Sequence, residues 1–202
     1  MTSPAPLLAV MAHPDDAELW AGGTLALHAR HARVTIAVPS CEPERLAEAE
    51  RGAAILGADL VVLDALTPQA CADLLDRVRP EVVVTHHLDD VHPDHRRAAD
   101  AVNAALPDVV IANGQPRRVY SCDTYEGLTR SGPVATGTIV DVTGTYDQKL
   151  RALAAHASQP LEHFGGMADR LTALWGARIG AARGEAFIPI PVLGRLPAAA
   201  HL

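Results

Sequence analysis

The sequence predicts an α/β fold in which a doubly wound, mostly parallel sheet carries helices on both faces. Two observations lead to this prediction: short, valine-rich apolar runs recur along the first half of the chain, and segments of helical length separate them. Crossovers between parallel strands are right-handed, so this alternation forms an open sheet. Ligands of such sheets bind beyond the carboxyl ends of the strands, where the strand order reverses.

The predicted strands of the first half are continuous apolar segments, as expected of strands that are covered on both faces. They are residues 7–12, 34–40, 59–64 and 81–86. Segments rich in Ala, Leu and Arg lie between them and predict helices over 18–31, 43–56 and 69–79. Gly57 is suited to the C-terminus of the second helix.

The second half is less regular. A further helix is predicted from residue 92 to 106, strands over 118–123 and 136–142, and helices over 145–156 and 163–182. The proline-broken segment 187–197 predicts an extended cover. Because no linker or repeat divides the chain, we expect one Rossmann-like domain over residues 1–202, whose part from about residue 115 covers the substrate pocket.

Composition restricts the partners. Seventeen basic and twenty-four acidic residues give a net charge of −7, which opposes electrostatic binding to nucleic acid or to an anionic membrane. We therefore expect a small-molecule partner. No apolar run approaches the roughly 18 residues of a membrane span, and the first residues lack a signal peptide's basic region, so we expect a cytoplasmic protein. Three widely spaced cysteines predict neither a disulfide framework nor a thiolate metal cluster.

Two clusters of histidine and aspartate follow predicted strands. His13, Asp15 and Asp16 come directly after the first strand, and the segment HHLDDVHPDH, residues 86–95, follows the fourth. In a doubly wound sheet these strands are neighbours where the strand order reverses, so the clusters can converge. Capping of the next helix is the alternative for the first cluster taken alone. The second cluster favours a joint site.

Imidazole and carboxylate ligands together suit a divalent transition ion, zinc first among them, with another such metal as the alternative. Three protein ligands leave a coordination position open, which indicates catalysis. The same residue types supply the base and the proton donor that amide hydrolysis needs. Phosphoester hydrolysis is less well matched, because it usually couples two metals with more carboxylates and no glycine-rich phosphate cradle is visible.

These residues carry a resemblance to a known family. His13-Pro14-Asp15-Asp16 with Glu18, the following Gly22-Gly23-Thr24, and the segment 90–96 resemble the paired signatures of the LmbE-like, or PIG-L, metal-dependent N-deacetylases. Three more parts of the chain resemble later elements of that family. They are Arg45 with Glu48 and Leu56-Gly57, His156-Ala157-Ser158-Gln159, and Arg183-Gly184-Glu185-Ala186-Phe187.

The resemblance implies a role for six residues of the two clusters. His13, Asp16 and His95 would bind one zinc ion per chain, with water completing the shell. Asp15 would be the general base that takes a proton from that water. His92 would stabilise the oxyanion, and Asp94 would orient and charge its imidazole. The residue that protonates the leaving amine stays open.

Substrate contacts follow from the resemblance with less detail. Arg45 would lie near the sugar, and Tyr125 belongs to a variable, lid-like stretch that could reach the substrate. Trp20 stands where relatives commonly have a small residue, and it either stacks on a sugar face or packs beneath the helix.

The implied enzyme is a zinc-dependent hydrolase that removes an acyl group, acetyl by preference, from the amine of an N-acetylglucosamine-type sugar or glycoside. Antibiotic or thiol biosynthesis is the expected setting. The alternatives are an amidase acting on a thiol conjugate or another small amide, and a non-catalytic protein that binds metal or sugar. A homo-oligomer is a further expectation, because members of the family often form oligomers.

Overall fold

The computed structural model describes residues 5–197. Residues 1–4 and 198–202, which the predicted domain includes, lie outside the described residues. The strands are β1 (Leu7–Val10), β2 (Val34–Pro39), β3 (Asp59–Leu63), β4 (Val82–Thr85), β5 (Arg118–Cys122), β6 (Leu128–Thr129), β7 (Gly132–Pro133), β8 (Thr138–Asp141) and β9 (Gly184–Pro189). The helices are α1 (Asp16–Ala29), α2 (Pro43–Leu56), α3 (Pro68–Val78), α4 (Pro93–Asn113), α5 (Tyr146–Leu153) and α6 (Leu161–Ile179).

Seven strands form one sheet in the order β3-β2-β1-β4-β5-β9-β8, and β6 and β7 form a separate hairpin. The pairs among β1 to β5 are parallel, and β9 lies antiparallel to both β5 and β8. The strand order reverses between β1 and β4, which pair directly with Ala9 opposite Val84. The predicted fold class is therefore confirmed, and so is the adjacency of the two strands that precede the clusters.

The sheet is buried on both faces. Along β1, Leu7 and Ala9 belong to one apolar core, whereas Leu8 and Val10 belong to the other. Helices α1, α2, α5 and α6 cover the first face, and α3 and α4 cover the second. This double burial explains why the strand sequences are continuously apolar rather than alternating.

Three element predictions need correction. Helix α4 continues to Asn113, beyond the predicted end at residue 106. Residues 187–189, expected in an extended cover, form the end of β9, where Phe187 is buried and pairs with Cys122 of β5. Helix α1 begins at Asp16, two residues earlier than expected. The bounds of α2 agree with the prediction, and Gly57 ends it with a φ of 79°, which favours glycine. Within residues 5–197, no helix combines the length and the apolar character that crossing a bilayer requires.

Helix α1 carries part of the site and is anchored by a buried ion pair. Lys149 of α5 donates from Nζ to Glu185 of β9 over 2.6 Å and to the carbonyl of Leu19 over 2.7 Å. The Glu185 carboxylate also accepts from the backbone N–H groups of Gly23 and Thr24. A Cβ atom at Gly23 would lie 2.7 Å from Val142, so glycine is needed for this close packing. The helix is thereby held at its middle.

Candidate metal centre

The loops after β1 and β4 meet because their strands pair in parallel. Hydrogen bonds join the two loops at their bases: the hydroxyl of Thr85 donates to the carbonyl of Val10 over 3.0 Å. The N–H of Ala12 donates to Nε2 of His86, also over 3.0 Å. The convergence expected from strand order is therefore present, although more than 70 residues separate the partners of each bond.

The three predicted metal ligands lie together. Nδ1 of His13 donates to Oδ2 of Asp16 over 3.0 Å, and Oδ1 of Asp16 lies 3.4 Å from Nε2 of His95. The rings of His13 and His95 have their centroids 5.2 Å apart. Two donors bound to one tetrahedral zinc at about 2.0–2.2 Å lie roughly 3.3–3.6 Å from each other. The spacing of Asp16 and His95 therefore suits a shared ion, and the roles of the three residues stay predictions.

The chemistry of the donor set also fits a cation. Two groups bring their ligand atoms within 4.8 Å of one another, His13 with His92 and His95, and Asp16 with His86 and His95. His95 belongs to both, yet its Nε2 atom is buried and has no hydrogen-bond partner among residues 5–197. A buried nitrogen without a partner is costly in an apo site. A metal ion would satisfy it.

Asp90 orients His95. It is fully buried, and its Oδ2 lies 3.0 Å from Nδ1 of His95, while its Oδ1 accepts from the N–H of His92 over 2.7 Å. A proton on Nδ1 leaves Nε2 of His95 free to face the site. Burial lowers the pKa of His95, but contacts with Asp16 and Asp90 outweigh it and raise that pKa to about 9.

His86 lies at the centre, in contact with Asp16 and His95. Its buried ring stacks on His95 with centroids 3.9 Å apart, and its Nε2 lies 3.1 Å from Oδ2 of Asp16. Nε2 of His86 accepts a hydrogen bond from the N–H of Ala12, so in the neutral ring this nitrogen carries no proton. It and Oδ2 of Asp16 are then two acceptors in contact, and a nearby cation stabilises such a pair. Burial lowers the pKa of His86 and so favours the neutral ring. Its position at the end of β4 is the sequence feature that indicates this role.

Asp15 has the environment of a base rather than of a helix cap. It occupies the position before α1, but its side chain makes no capping hydrogen bond within the described chain. Instead Oδ1 accepts from Nη2 of Arg45 over 2.9 Å. Burial, together with the charge of Asp16, raises the pKa of Asp15, and Arg45 opposes this. A raised pKa suits a carboxylate that must take up a proton near neutral pH.

The structure changes the expected relation between His92 and Asp94. The main-chain N–H of Asp94 donates to Nδ1 of His92 over 3.2 Å, whereas the Asp94 carboxylate pairs with Arg97. That carboxylate also lies 3.7 Å from Nε2 of His13. The expected contact between carboxylate and His92 is therefore wrong, because His92 caps α4 and turns Nδ1 towards the helix backbone. Burial lowers the pKa of His92, as do the nearby charges of His95 and His13, whereas the charge of Asp94 raises it, as expected of a carboxylate that favours the charged imidazole.

The three predicted substrate residues surround the centre in different ways. Arg45 is partly buried and forms an ion pair with Asp15. Tyr125 stacks on His95 with ring centroids 5.7 Å apart. Trp20 is only 3% exposed and lies edge-on to Tyr125, with centroids 5.1 Å apart. Trp20 therefore packs beneath the helix, which was the second of the two alternatives.

A second buried polar cluster lies behind Asp15 and consists of Glu18, Glu48, His156 and Ser158. The sequence did not predict that these residues meet. Oε2 of Glu18 lies 3.5 Å from Nε2 of His156, and both side chains are about 1% exposed. Next to them, Glu48 accepts from the N–H and the hydroxyl of Ser158. The Glu after HPDD and the His-x-Ser-Gln element were the sequence features that could have located this cluster.

Comparisons with known proteins agree with this geometry. Residues 8–106 match the profile of the PIG-L family, described as GlcNAc-PI de-N-acetylase. A 1D-myo-inositol 2-acetamido-2-deoxy-alpha-D-glucopyranoside deacetylase of Nakamurella multipartita is 30% identical over 77% of this chain and 80% of its own length. The chain belongs to the PIG-L family. The resemblance stated from the motifs is confirmed, and with it the predicted class of enzyme, a hydrolytic N-deacetylase.

Further relatives extend the likeness along the chain. A second deacetylase of the same description, from Saccharopolyspora erythraea, is 27% identical over 79% of each sequence. The crystal structure of a conserved protein from Thermus thermophilus superposes with a TM-score of 0.76 at 28% identity, covering 98% of this chain and all of that one. The N,N'-diacetylchitobiose deacetylase of Pyrococcus horikoshii shares the fold, with a TM-score of 0.74 at 21% identity over 95% and 87% of the two chains.

Proposed function

We propose that this PIG-L family member is a zinc-dependent N-deacetylase that removes the acetyl group from the 2-amino position of an N-acetylglucosamine-type glycoside. One observation carries the proposal: a buried carboxylate with a raised pKa, Asp15, lies beside a group of histidines and Asp16 whose His95 Nε2 atom has no partner among the described residues. The relatives described as glucopyranoside deacetylases support the substrate class.

We assign zinc to His13, Asp16 and His95, which combine the histidine common to both groups with one further residue from each of them. When bound there, zinc would supply Lewis acidity, polarising the amide carbonyl and lowering the pKa of a water molecule. His86 and Asp90 hold the trio in place, since they contact Asp16 and His95 respectively. The zinc assignment rests on the mixed nitrogen and oxygen donors of this set.

Asp15 takes the proton from the attacking water as the bond from oxygen to the carbonyl carbon forms. The carbonyl oxygen then gains negative charge, and Nε2 of His92 donates a hydrogen bond to it. The proton of neutral His92 lies on Nε2, because Nδ1 already accepts from the N–H of Asp94. The bond from carbon to nitrogen breaks, and the proton held by Asp15 is available to the departing amine, so that acetate and free amine result.

Arg45 links the base to the substrate side of the site. Its guanidinium holds Oδ1 of Asp15, and the side chain is about a quarter exposed, so it can also contact a hydroxyl of a sugar. Tyr125, stacked on His95, is the second residue that we place against the substrate. The part of the chain from about residue 115, which contains Tyr125, would cover the pocket.

The test measures free amine released from N-acetylglucosamine and its glycosides, an inositol-linked one among them, by protein loaded with zinc and by protein stripped with a chelator. Asp15→Asn removes the base, and we expect a loss of about 10²- to 10⁴-fold in kcat with zinc still bound. Asp64→Asn, an exposed carboxylate that follows β3 at the same sheet edge, is the matched control and keeps activity. Equal activity of Asp15→Asn and wild type would remove Asp15 as the base.

A thiol-conjugate amide belongs in the same panel. Release of amine from that compound and from none of the sugars would refute the sugar substrate and favour an amidase that acts on thiol conjugates. Zinc binding without release from any compound would leave a metal-binding protein and refute catalysis.

A further inference from the structure

The indole of Trp20 contacts the candidate metal centre from helix α1. Its Nε1 donates a hydrogen bond to Oδ1 of Asp16 over 3.1 Å. The ring also lies edge-on to His95, with centroids 6.2 Å apart. Trp20 is therefore in contact with two of the three proposed ligands without being able to bind a metal itself.

The contact follows from the helix that both residues share. Asp16 is the first residue of α1 and Trp20 lies four positions later, so the two side chains lie on the same face, one turn apart. The anchoring of α1 by Lys149 at the carbonyl of Leu19 fixes the turn that carries Trp20. The indole N–H is thus held in position independently of a metal.

The other oxygen of Asp16 has different partners. Oδ2 accepts from the N–H of His13 over 2.8 Å and from Nδ1 of the same residue. With Trp20 on Oδ1 and His13 on Oδ2, the carboxylate is held from both ends and cannot rotate freely about its last side-chain bond. Because Trp20 is 3% exposed, its large ring has no face open to a sugar.

We infer that Trp20 is a positioning residue, whose indole N–H fixes the orientation of the Asp16 carboxylate and thereby strengthens zinc binding. This inference rests on the proposed function in one respect, that Asp16 is a zinc ligand. Hydrogen bonds to ligating carboxylates set the direction of their lone pairs, and losing such a partner typically costs 10- to 100-fold in metal affinity.

Trp20→Phe tests the inference because phenylalanine keeps an aromatic ring against His95 and Tyr125 but has no N–H group. Trp175→Phe is the matched control, since Trp175 is the only other tryptophan and also donates its N–H to a buried carboxylate, Oδ2 of Asp123. Zinc affinity of the apoproteins is measured by competition with a chromophoric chelator. We expect a dissociation constant about 10- to 100-fold higher for Trp20→Phe and within about twofold of wild type for Trp175→Phe.

Two spectroscopic readouts separate positioning from general destabilisation. Cobalt bound in place of zinc has visible bands that depend on the number and arrangement of its ligands, and these should change in Trp20→Phe but not in Trp175→Phe. Trp175→Phe also leaves Trp20 as the sole tryptophan, and its emission should change when zinc is added. This second readout needs no change at position 20, so it holds even if Trp20→Phe fails to fold.

The results divide cleanly. An unchanged zinc dissociation constant in folded Trp20→Phe, or an emission of Trp20 that ignores zinc, overturns the inference and leaves the metal site intact. Absence of zinc binding by the wild type, or full retention of zinc by Asp16→Ala, overturns the proposed function and this inference with it.

Discussion

Replacing Asp90 by asparagine should weaken metal binding although asparagine has almost the same shape. Asp90 accepts two hydrogen bonds at once, from Nδ1 of His95 over 3.0 Å and from the backbone N–H of His92 over 2.7 Å. An amide has only one oxygen. If that oxygen stays on His92, the NH2 group faces His95 and forces its proton onto Nε2, the atom that should bind the metal. If the amide is flipped, its NH2 group meets the N–H of His92.

Either arrangement leaves a buried group mismatched. Removing such a partner of a ligating histidine costs about 10- to 100-fold in metal affinity, or about 1.4–2.7 kcal/mol. The pKa of His95 is raised to about 9 by Asp16 and Asp90, so zinc competes with a proton below that pH. The comparison is therefore made above pH 9, where both proteins have lost that proton.

The assay is zinc competition against a chromophoric chelator for wild type, Asp90→Asn and Asp89→Asn. The neighbouring Asp89 is the matched control, because its carboxylate accepts from the N–H of Ser131 and forms no hydrogen bond with His92 or His95 within residues 5–197. We expect a 10- to 100-fold weaker site in Asp90→Asn and no change in Asp89→Asn. Equal affinities of Asp90→Asn and wild type would refute the assignment of His95 Nε2 to the metal.

Three further predictions concern the framework around the site. Burial raises the pKa of Asp123 from 3.8 to about 6, so its contribution to stability is present below about pH 4 and is lost as pH rises through 6. This loss amounts to about 3 kcal/mol. In urea unfolding, the free energy of unfolding of Asp123→Asn should rise relative to that of wild type by up to this amount between about pH 4 and 7. A difference between the two proteins that does not depend on pH would contradict the prediction. Lys149→Met leaves the Glu185 carboxylate buried without its cation and should lower the free energy of unfolding by about 3–5 kcal/mol, whereas a loss under about 1 kcal/mol would show the pair to be dispensable. Gly52→Ala would place a Cβ atom 2.4 Å from Oε1 of Glu18 and 3.0 Å from Nε2 of His156. Thermal unfolding should therefore show a stability lower by about 1–3 kcal/mol. Gly144→Ala is the control and should not lose stability, because a Cβ atom there has nothing within 4 Å.

Those parts of the fold that depend on local sequence were predictable. Strands β1 to β4 appear as continuous apolar runs because both of their faces are buried, and the neighbouring positions of β1 and β4 follow from the rules of parallel connections. Strand β9 was missed because its pairing with β5 and β8 joins distant segments, and because Pro189 at its end and Pro191 just beyond it favour a loop.

The candidate site shows the same division. The meeting of His13 and Asp16 with His95 could be predicted, because the first two follow the first predicted strand within four residues and His95 lies in the first turn of the helix after the fourth strand. The pairing of Arg45 with Asp15 could not, since it depends on how α2 packs against the loop after β1. The contact of Asp94 with Arg97 follows the i,i+3 spacing of opposite charges on a helix, whereas the hydrogen bond from the N–H of Asp94 to His92 depends on the rotation of the first turn of α4.

The most direct test of the central claim is the zinc content of purified protein after equilibrium dialysis, for wild type and for one variant from each loop, His13→Ala and His95→Ala. Two loops that share one ion predict one zinc per chain in the wild type and its loss from both variants. Retention of a full equivalent by either variant, or no zinc in the wild type, would contradict the claim that the two loops together form a metal centre.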